Sequence, residues 1–270
     1  MGRMLDALKT LDARAHEPVA ELPKQTPPPL ASWEAVLDET ELLLEQAERS
    51  VAPRTIEKAP PLPIRPALPT APFESCKLPI APEPADYYRE MATRIGGQLA
   101  GNYSNVLLFV AADRWVEPSF SMTHLAQCFT LQSSGDVLLV DGDLRTGPLS
   151  RLVSRPGPGM VEAMLGQAQW PDIIHPTNVA RIDFVARGNG QVPTFERPQF
   201  GWGALRPLYR AVLIGLAGQI EPETAWLAGR CDAVYYVLSR PHTRRANASA
   251  AINALRASGA NVAGCIIVND

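Results

Sequence analysis

The stretch DVLLVDGDLRTGPLSRLV, residues 136–153, decides the fold class of this chain. Its apolar run at 137–140 has strand length, shows no alternation of polar and apolar residues, and ends at Asp141 and Asp143. Strands that are apolar on both faces are typical of parallel sheets covered by helices on both sides. Ligands of such sheets bind beyond the carboxyl ends of the strands, so the two aspartates lie where a site is expected.

Similar apolar runs, separated by helical patterns, occur on both sides of this stretch. Further strands are predicted at NVLLFVAA (105–112), ARIDFVARG (180–188), YRAVLIGLAG (209–218), DAVYYVLSR (232–240) and VAGCIIVND (262–270). Helices are predicted at YYREMATRIGGQL (87–99), SFSMTHLAQCFTLQSSG (119–135), GMVEAMLGQA (159–168), AWLAGRC (225–231) and RRANASAAINALRASG (244–259). The alternation predicts a doubly wound, mostly parallel α/β domain over residues 85–270. The loops that follow Ala112, Val140, Leu216 and Leu238 are therefore the candidates for chemistry.

Residues 1–84 have a different composition. Of the 26 prolines, 15 lie in residues 1–85, and the stretch APPLPIRPALPTAP at 59–72 disfavours both helix and sheet. We expect a disordered, proline-rich N-terminal region, extended at 53–84 and interrupted by short amphipathic helices near residues 4–11 and 32–50. Each helix either docks a partner, or it packs on its own domain or frays; the pattern does not distinguish these alternatives.

Composition excludes several classes of protein. The net charge of −3 indicates no broad basic surface, so we expect no nucleic-acid partner. No apolar run approaches the roughly 20 residues that span a bilayer, and the N-terminus has no apolar signal segment. The four cysteines are far apart, which predicts reduced and mostly buried thiols. We therefore expect a soluble cytoplasmic protein that reaches a membrane only through a partner.

The order of the motifs adds a family resemblance over about residues 85–270. VLLVDGDLRTGPLSRLV, GMVEAMLGQA, IIHPTNVARIDFVARG and the C-terminal DAVYYVLSRPHTRRANASAAINALRASGANVAGCIIVND occur in one order. Together they resemble the kinase domain of bacterial tyrosine kinases of the CpsD/CapB type, which regulate exopolysaccharide chain length. That family belongs to the MinD/ParA group of P-loop ATPases. The resemblance therefore implies a P-loop NTPase-like fold and a site for ATP and Mg²⁺.

The resemblance also implies a glycine-rich loop that ends in Gly-Lys-Ser/Thr after the first strand. Here Trp115 and Glu117 replace glycines, Pro118 stands at the lysine position, and Ser119 stands at the Mg²⁺ hydroxyl position. Bulky side chains narrow such a loop, and Pro118 removes an N–H donor together with the cation. Arg114 as a substitute for the lysine is a further interpretation. The residues of this degenerate phosphate loop are Arg114, Trp115, Glu117, Pro118, Ser119 and Phe120.

A second loss is expected at the Walker B position. The family has an aspartate at the end of the strand VLIGL, and Gly215 stands there in this chain. The pair Asp141 and Asp143 is retained and has two interpretations. It is either a remnant acid pair, catalytic or metal-binding together with Ser119 if ATP·Mg²⁺ binds, or a turn in which Asp143 caps backbone N–H groups and Arg145 pairs with a neighbouring acid.

These losses favour a non-catalytic relative of the tyrosine kinases, a pseudokinase, that needs no cofactor. Its expected partners are proteins, either an active tyrosine kinase or a membrane-anchored chain-length regulator, and the helix from Tyr87 to Ile95 is a candidate surface for homo-oligomers. The alternative is an active ATP-dependent protein-tyrosine kinase with an atypical phosphate loop. A partition or division-site positioning protein is a third hypothesis, but such proteins depend on ATP-driven dimerisation.

Overall fold

The computed structural model describes residues 76–79, 84–99, 104–112, 118–132, 135–153, 157–191, 200–217, 220–239 and 242–268, with only the backbone at 118–121. The helices predicted near residues 4–11 and 32–50, most of the proline-rich stretch and residues 113–117 of the phosphate loop lie outside these ranges. In chain order the elements are α1 (Asp86–Gln98), β1 (Asn105–Ala111), α2 (Pro118–Gln132), β2 (Val137–Asp141), α3 (Pro148–Val153), α4 (Met160–Met164), α5 (Trp170–Ile173), β3 (Ile174–Pro176), β4 (Ile182–Val185), β5 (Ala211–Leu216), α6 (Pro222–Ala228), β6 (Ala233–Ser239), α7 (Arg245–Ala257) and β7 (Val262–Val268).

The described strands form one sheet in the order β3-β4-β2-β5-β1-β6-β7. All neighbouring pairs are parallel except β3 and β4. Strands β1, β2 and β5 are buried along their whole length, as expected for apolar runs covered on both faces. The predicted doubly wound α/β fold is therefore confirmed.

Two hydrophobic cores lie on opposite faces of the sheet. Helices α1 and α2 cover one face, where Tyr88, Ala92 and Ile95 follow the helical spacing that places them on one stripe. The rings of Tyr88 and His124 meet edge to face at 5.0 Å between centroids and join the two helices. Helices α4, α5, α6 and α7 contribute to the core of the other face. The helices packed on the two faces thus shield the central strands β1, β5 and β2 from water.

Residues 76–79 contact this domain, although they precede the predicted boundary at residue 85. Cys76 forms an isolated parallel bridge with Thr177, in which Cys76 N donates to Pro176 O and Asn178 N donates to Cys76 O, each at 2.9 Å. Leu78 N donates to Asn178 Oδ1 at 2.7 Å, and the side chains of Cys76 and Leu78 are buried. The division of the chain at residues 84 and 85 stays a prediction, but contacts of the domain begin upstream of it.

Candidate functional site

Asp141 ends β2 at the carboxyl edge of the sheet and is fully buried. Its Oδ2 accepts hydrogen bonds from the backbone N–H of Ser150 at 2.7 Å and from the Ser150 hydroxyl at 2.6 Å. Its Oδ1 accepts the N–H of Asp143 at 3.3 Å. The carboxylate is therefore bound by the chain itself, through α3 on one side and the following turn on the other.

Burial has a large effect on this carboxyl group. It raises the pKa of Asp141 from 3.8 to about 6, against the opposing effect of the two hydrogen bonds from Ser150, while the nearby Asp143 carboxylate raises it further. Asp141 therefore carries a proton in a substantial fraction of molecules near pH 6. A protonated carboxyl is a poor ligand for Mg²⁺.

Ser150 is a site residue that the sequence did not single out as a partner of Asp141. Its Oγ donates to Asp141 and also accepts the backbone N–H of Arg187 at 2.7 Å. The Arg187 side chain donates in turn to the carbonyl of Leu144. Gly147 allows this close packing, because its φ of +56° suits glycine and an added Cβ would lie 2.8 Å from Arg187 Cδ. The contacts of Ser150 are those of a structural bridge between α3 and the end of β4.

Asp143 organises the turn after β2. Its Oδ1 accepts the N–H groups of Arg145 at 3.0 Å and Thr146 at 2.8 Å, and its Oδ2 accepts the Thr146 hydroxyl at 2.5 Å. Arg145 pairs with Glu221 and, at 3.3 Å, with Glu223. These are the contacts that the structural-turn interpretation of the aspartate pair predicts.

Gly215 lies beside Asp141 in the sheet, on the neighbouring strand β5. Its carbonyl accepts the N–H of Gly142 at 2.8 Å. A Cβ added at Gly215 would lie 2.5 Å from Met122 Sδ and 3.3 Å from Leu149 Cδ1. The space in which a Walker B carboxylate would begin is therefore filled by apolar side chains of α2 and α3.

The residues of the predicted phosphate loop are only partly described. Arg114, Trp115 and Glu117 lie outside the described residues. Pro118 is the first residue of α2, followed in the helix by Ser119 and Phe120, whose side chains are not described. Because β1, β2 and β5 are parallel neighbours, the fold brings the start of α2, Asp141 and Gly215 to one edge of the sheet.

A cavity of about 210 Å³ opens beside this edge, between the turn after β2 and helix α6. Its charged lining is provided by Asp143, Arg145, Glu221 and Glu223, and the remaining lining is largely apolar. Among the described residues, no group of three or more His, Cys, Asp or Glu side chains is arranged to hold a metal ion. No described helix combines the length and apolar character needed to cross a membrane.

No protein-family model and no curated protein matches this sequence significantly. Solved structures match its fold. The BceF tyrosine kinase domain is 24% identical, with a TM-score of 0.54 over 68% of this chain and 76% of that one. The kinase domain of the Escherichia coli tyrosine kinase ETK is 18% identical, with a TM-score of 0.54 over 68% and 74%. The septum site-determining protein MinD from Pyrococcus horikoshii, solved with Mg-ADP, is 16% identical, with a TM-score of 0.51 over 61% and 70%.

The fold is therefore the one shared by bacterial tyrosine kinase domains and MinD ATPases. The resemblance stated from the sequence motifs is confirmed at this level. At these identities the comparisons define the class of fold, and the activity has to be argued from the residues of this chain.

Proposed function

We propose that this chain is a non-catalytic relative of the bacterial tyrosine kinases, a pseudokinase that regulates or scaffolds exopolysaccharide biosynthesis or export. The observation that carries the proposal is the packing at Gly215. Met122 and Leu149 fill the volume in which the metal-linked carboxylate of an active enzyme would stand. An aspartate there would require Met122 to move, so the present packing of the core fits the glycine.

Two further features support the proposal. Pro118 offers neither the cation nor the N–H donor that holds phosphate in active relatives, at the residue where α2 begins. Asp141 is retained, but its oxygens already accept hydrogen bonds from Ser150 and Asp143. A carboxylate offers about four lone-pair sites, so three accepted hydrogen bonds leave about one of them for a metal ion.

A scaffold needs a surface for its partner, and α1 provides one. Tyr87 is 55% exposed on this helix, whereas Tyr88, Ala92 and Ile95 are buried against the domain. In our proposal the exposed side of α1 contacts an active tyrosine kinase or a membrane-anchored chain-length protein, or a second copy of this chain. The protein acts in the cytoplasm and reaches the membrane through that partner.

The test is a titration of the full chain with a fluorescent ATP analogue in the presence of Mg²⁺, with the E. coli ETK kinase domain as the positive control. We expect no saturable binding to this chain up to about 1 mM nucleotide, a concentration at which even weak complexes form. Saturable binding in the micromolar range would overturn the proposal.

The alternative, an active ATP-dependent tyrosine kinase, is favoured by one observation. Asp141 and Asp143 remain at the carboxyl edge of the sheet, beside the start of α2. Incubation with labelled ATP tests this function. Label on the wild-type chain that is lost in a folded Asp141→Ala variant would support the kinase, and absence of label from both would support the pseudokinase.

A further inference from the structure

Four aromatic side chains form a cluster on the face of the sheet that carries α5 and α6. The cluster, called the aromatic surface below, consists of Trp170, Phe200, Trp202 and Trp226. Ring centroids are 5.1 Å apart for Trp170 and Phe200, 4.9 Å for Phe200 and Trp202, and 6.1 Å for Phe200 and Trp226. Trp202 is buried, while the other three are only half-buried. Trp170, Phe200 and Trp226 pack on the core and keep part of their surface accessible, and the guanidinium of Arg230 lies over the Trp226 ring, 4.0 Å from its centroid. Partly accessible aromatic side chains are enriched at recognition surfaces.

The aromatic surface continues into the cavity beside α6, since Trp226 lines both. At the cavity, Glu221 and Glu223 both pair with Arg145, which is 60% exposed and is the one cation among the described residues that line it. Oε2 of Glu223 is buried and accepts no hydrogen bond from any residue that the structure describes. The cavity therefore has an excess of negative charge and an acceptor whose desolvation is not compensated.

Aromatic side chains next to an acidic pocket suit one chemical class of ligand. Proline-rich segments in the polyproline II conformation dock on aromatic-lined grooves, because their rigid backbone loses little entropy on binding. A basic side chain within such a segment would enter the acidic pocket and donate to the carboxylate there. Arginine matches a carboxylate best, because its planar guanidinium forms two parallel hydrogen bonds.

We infer that the occupant of this surface is a segment of the same chain, PPLPIRPALP at residues 60–69, with Arg65 in the acidic pocket. Arg65 is the only charged residue between positions 59 and 73, so the segment presents one cation among prolines and apolar residues. The two features that the surface requires, polyproline character and a single cation, thus occur together in this segment.

The length of chain between Arg65 and Cys76 permits this assignment. Cys76 forms a parallel bridge with Thr177, and Thr177 directly follows β3. Helix α5, which carries Trp170, directly precedes β3. Eleven steps separate Arg65 from Cys76, and at about 3.1 Å for each they reach about 34 Å in polyproline II. That reach is about twice the radius of gyration of a domain of this size.

Photo-crosslinking of the full chain tests the inference. Benzoylphenylalanine is placed at Ile64, beside Arg65, and the crosslinked peptides are identified by mass spectrometry. An equal mixture of isotope-labelled and unlabelled chains distinguishes crosslinks within one chain from crosslinks between chains. We expect crosslinks within one chain to peptides that contain Trp170, Phe200 or Trp226.

Charge variants show whether Arg65 carries the contact. Arg65→Glu and Glu223→Arg are each expected to lower the crosslink yield by about tenfold, as expected for the loss of a charge-assisted pair. The double variant Arg65→Glu with Glu223→Arg restores the opposite charges and is expected to recover most of the yield. Arg54→Glu makes the same charge change outside the segment and should leave the yield unchanged. Thermal unfolding of each variant verifies that the domain is folded.

Several outcomes would overturn the inference. They are crosslinks scattered over the domain, crosslinks only between labelled and unlabelled chains, and equal yields in the wild type and all the charge variants. The inference does not depend on the proposed function, because crosslinking reports on the aromatic surface and the nucleotide titration reports on the phosphate loop. Either test can therefore fail without affecting the other.

Discussion

Met122 and Gly215 fit each other across the α2–β5 contact, with the sulfur of Met122 at the place where a side chain on Gly215 would begin. An added Cβ would lie 2.5 Å from Met122 Sδ, closer than packed atoms approach. A side chain at residue 215 would therefore require Met122 to shift, and the present packing fits a glycine. The resemblance to the tyrosine kinases implies a carboxylate at this position, so in our proposal the packing around Gly215 matches the loss of that carboxylate.

Gly215→Ala should lower the free energy of unfolding by about 1–3 kcal/mol, because an added methyl group overpacks a filled core. Urea unfolding followed by circular dichroism measures the change. Gly264→Ala is the matched control in strand β7, where an added Cβ meets Tyr235 only at 3.7 Å. We expect it to change stability by less than about 1 kcal/mol. Equal losses in the two variants would show that the contact with Met122 is unimportant.

The pH dependence of stability should reveal Asp141. The pKa of Asp141 rises from 3.8 in the unfolded chain to about 6 in the folded protein. The stability that this carboxyl group contributes is therefore fully present below pH 3.8 and is lost as the pH rises through about 6. Asp141→Asn removes this dependence. As the pH rises from about 4 to 7, the free energy of unfolding of the variant should therefore increase by up to about 3 kcal/mol relative to that of the wild type. Urea unfolding at a series of pH values measures the difference.

A second variant separates the effect of the Ser150 hydroxyl on the pKa of Asp141 from the effect of burial. Ser150→Ala removes the hydroxyl that lowers the pKa of Asp141, so the loss of stability should move to higher pH than in the wild type. A pH profile identical to that of the wild type would contradict the hydrogen bond as a determinant of this pKa.

Glu162 should show the opposite pH dependence. Burial alone would raise the pKa of its carboxyl, but the backbone N–H groups of Gly159, Asn189 and Gly190 lower it below 4.5. Its stabilising contribution is present above pH 4.5 and is lost as pH falls through the lower folded pKa. Glu162→Gln should lower the free energy of unfolding by about 1–2 kcal/mol at pH 7, and by progressively less as the pH falls. A cost that grows on acidification would refute this assignment.

Arg206 and Asp232 form a two-bond pair that fastens the segment before β5 to the starts of β1 and β6. Arg206 Nη1 donates to Asp232 Oδ2 at 2.9 Å and Nη2 donates to Oδ1 at 2.8 Å, and Oδ2 also accepts the N–H of Val106 at 2.7 Å. Asp232→Ala should cost about 1–3 kcal/mol, because it leaves that N–H without its acceptor. Arg206→Ala should cost less, since the pair is only partly buried.

The exposed pair Arg94 and Glu90 on α1 is the control for this measurement. Glu90→Ala should cost no more than about 0.5 kcal/mol, as is usual for exposed pairs one helical turn apart. Thermal or urea unfolding of the three variants ranks them by the loss of stability that each substitution causes. An Asp232→Ala variant as stable as Glu90→Ala would contradict the role assigned to Asp232.

The strands that bear the site could be predicted from sequence because their signal is local. The apolar run before Asp141 needs only its own residues to indicate a buried strand, and β2 ends at Asp141 as expected. The antiparallel strand β3 has three residues and ends in Pro176, so it offers no periodic pattern, and it was not predicted. Likewise, α5 has four residues, too few for a helical stripe.

The contacts that define the site could not be predicted in the same way. The approach of Met122 to Gly215 joins residues far apart in the chain, and only the packing of α2 on β5 creates it. The bond from Ser150 to Asp141 depends on the direction in which α3 leaves the turn. The pairing of Arg145 with a neighbouring acid was one of two interpretations of the turn, but the sequence did not identify Glu221 and Glu223 as its partners.

The bond from Leu78 to Asn178 has a consequence for the biosynthesis of this protein. The two residues are 100 positions apart, so the ribosome completes one long before the other. At 5–20 residues per second the delay is roughly 5–20 s. During that interval the domain edge to which residues 76–79 bind does not yet exist. A protein that binds residues 76–79 would therefore meet the nascent chain before the domain competes for it.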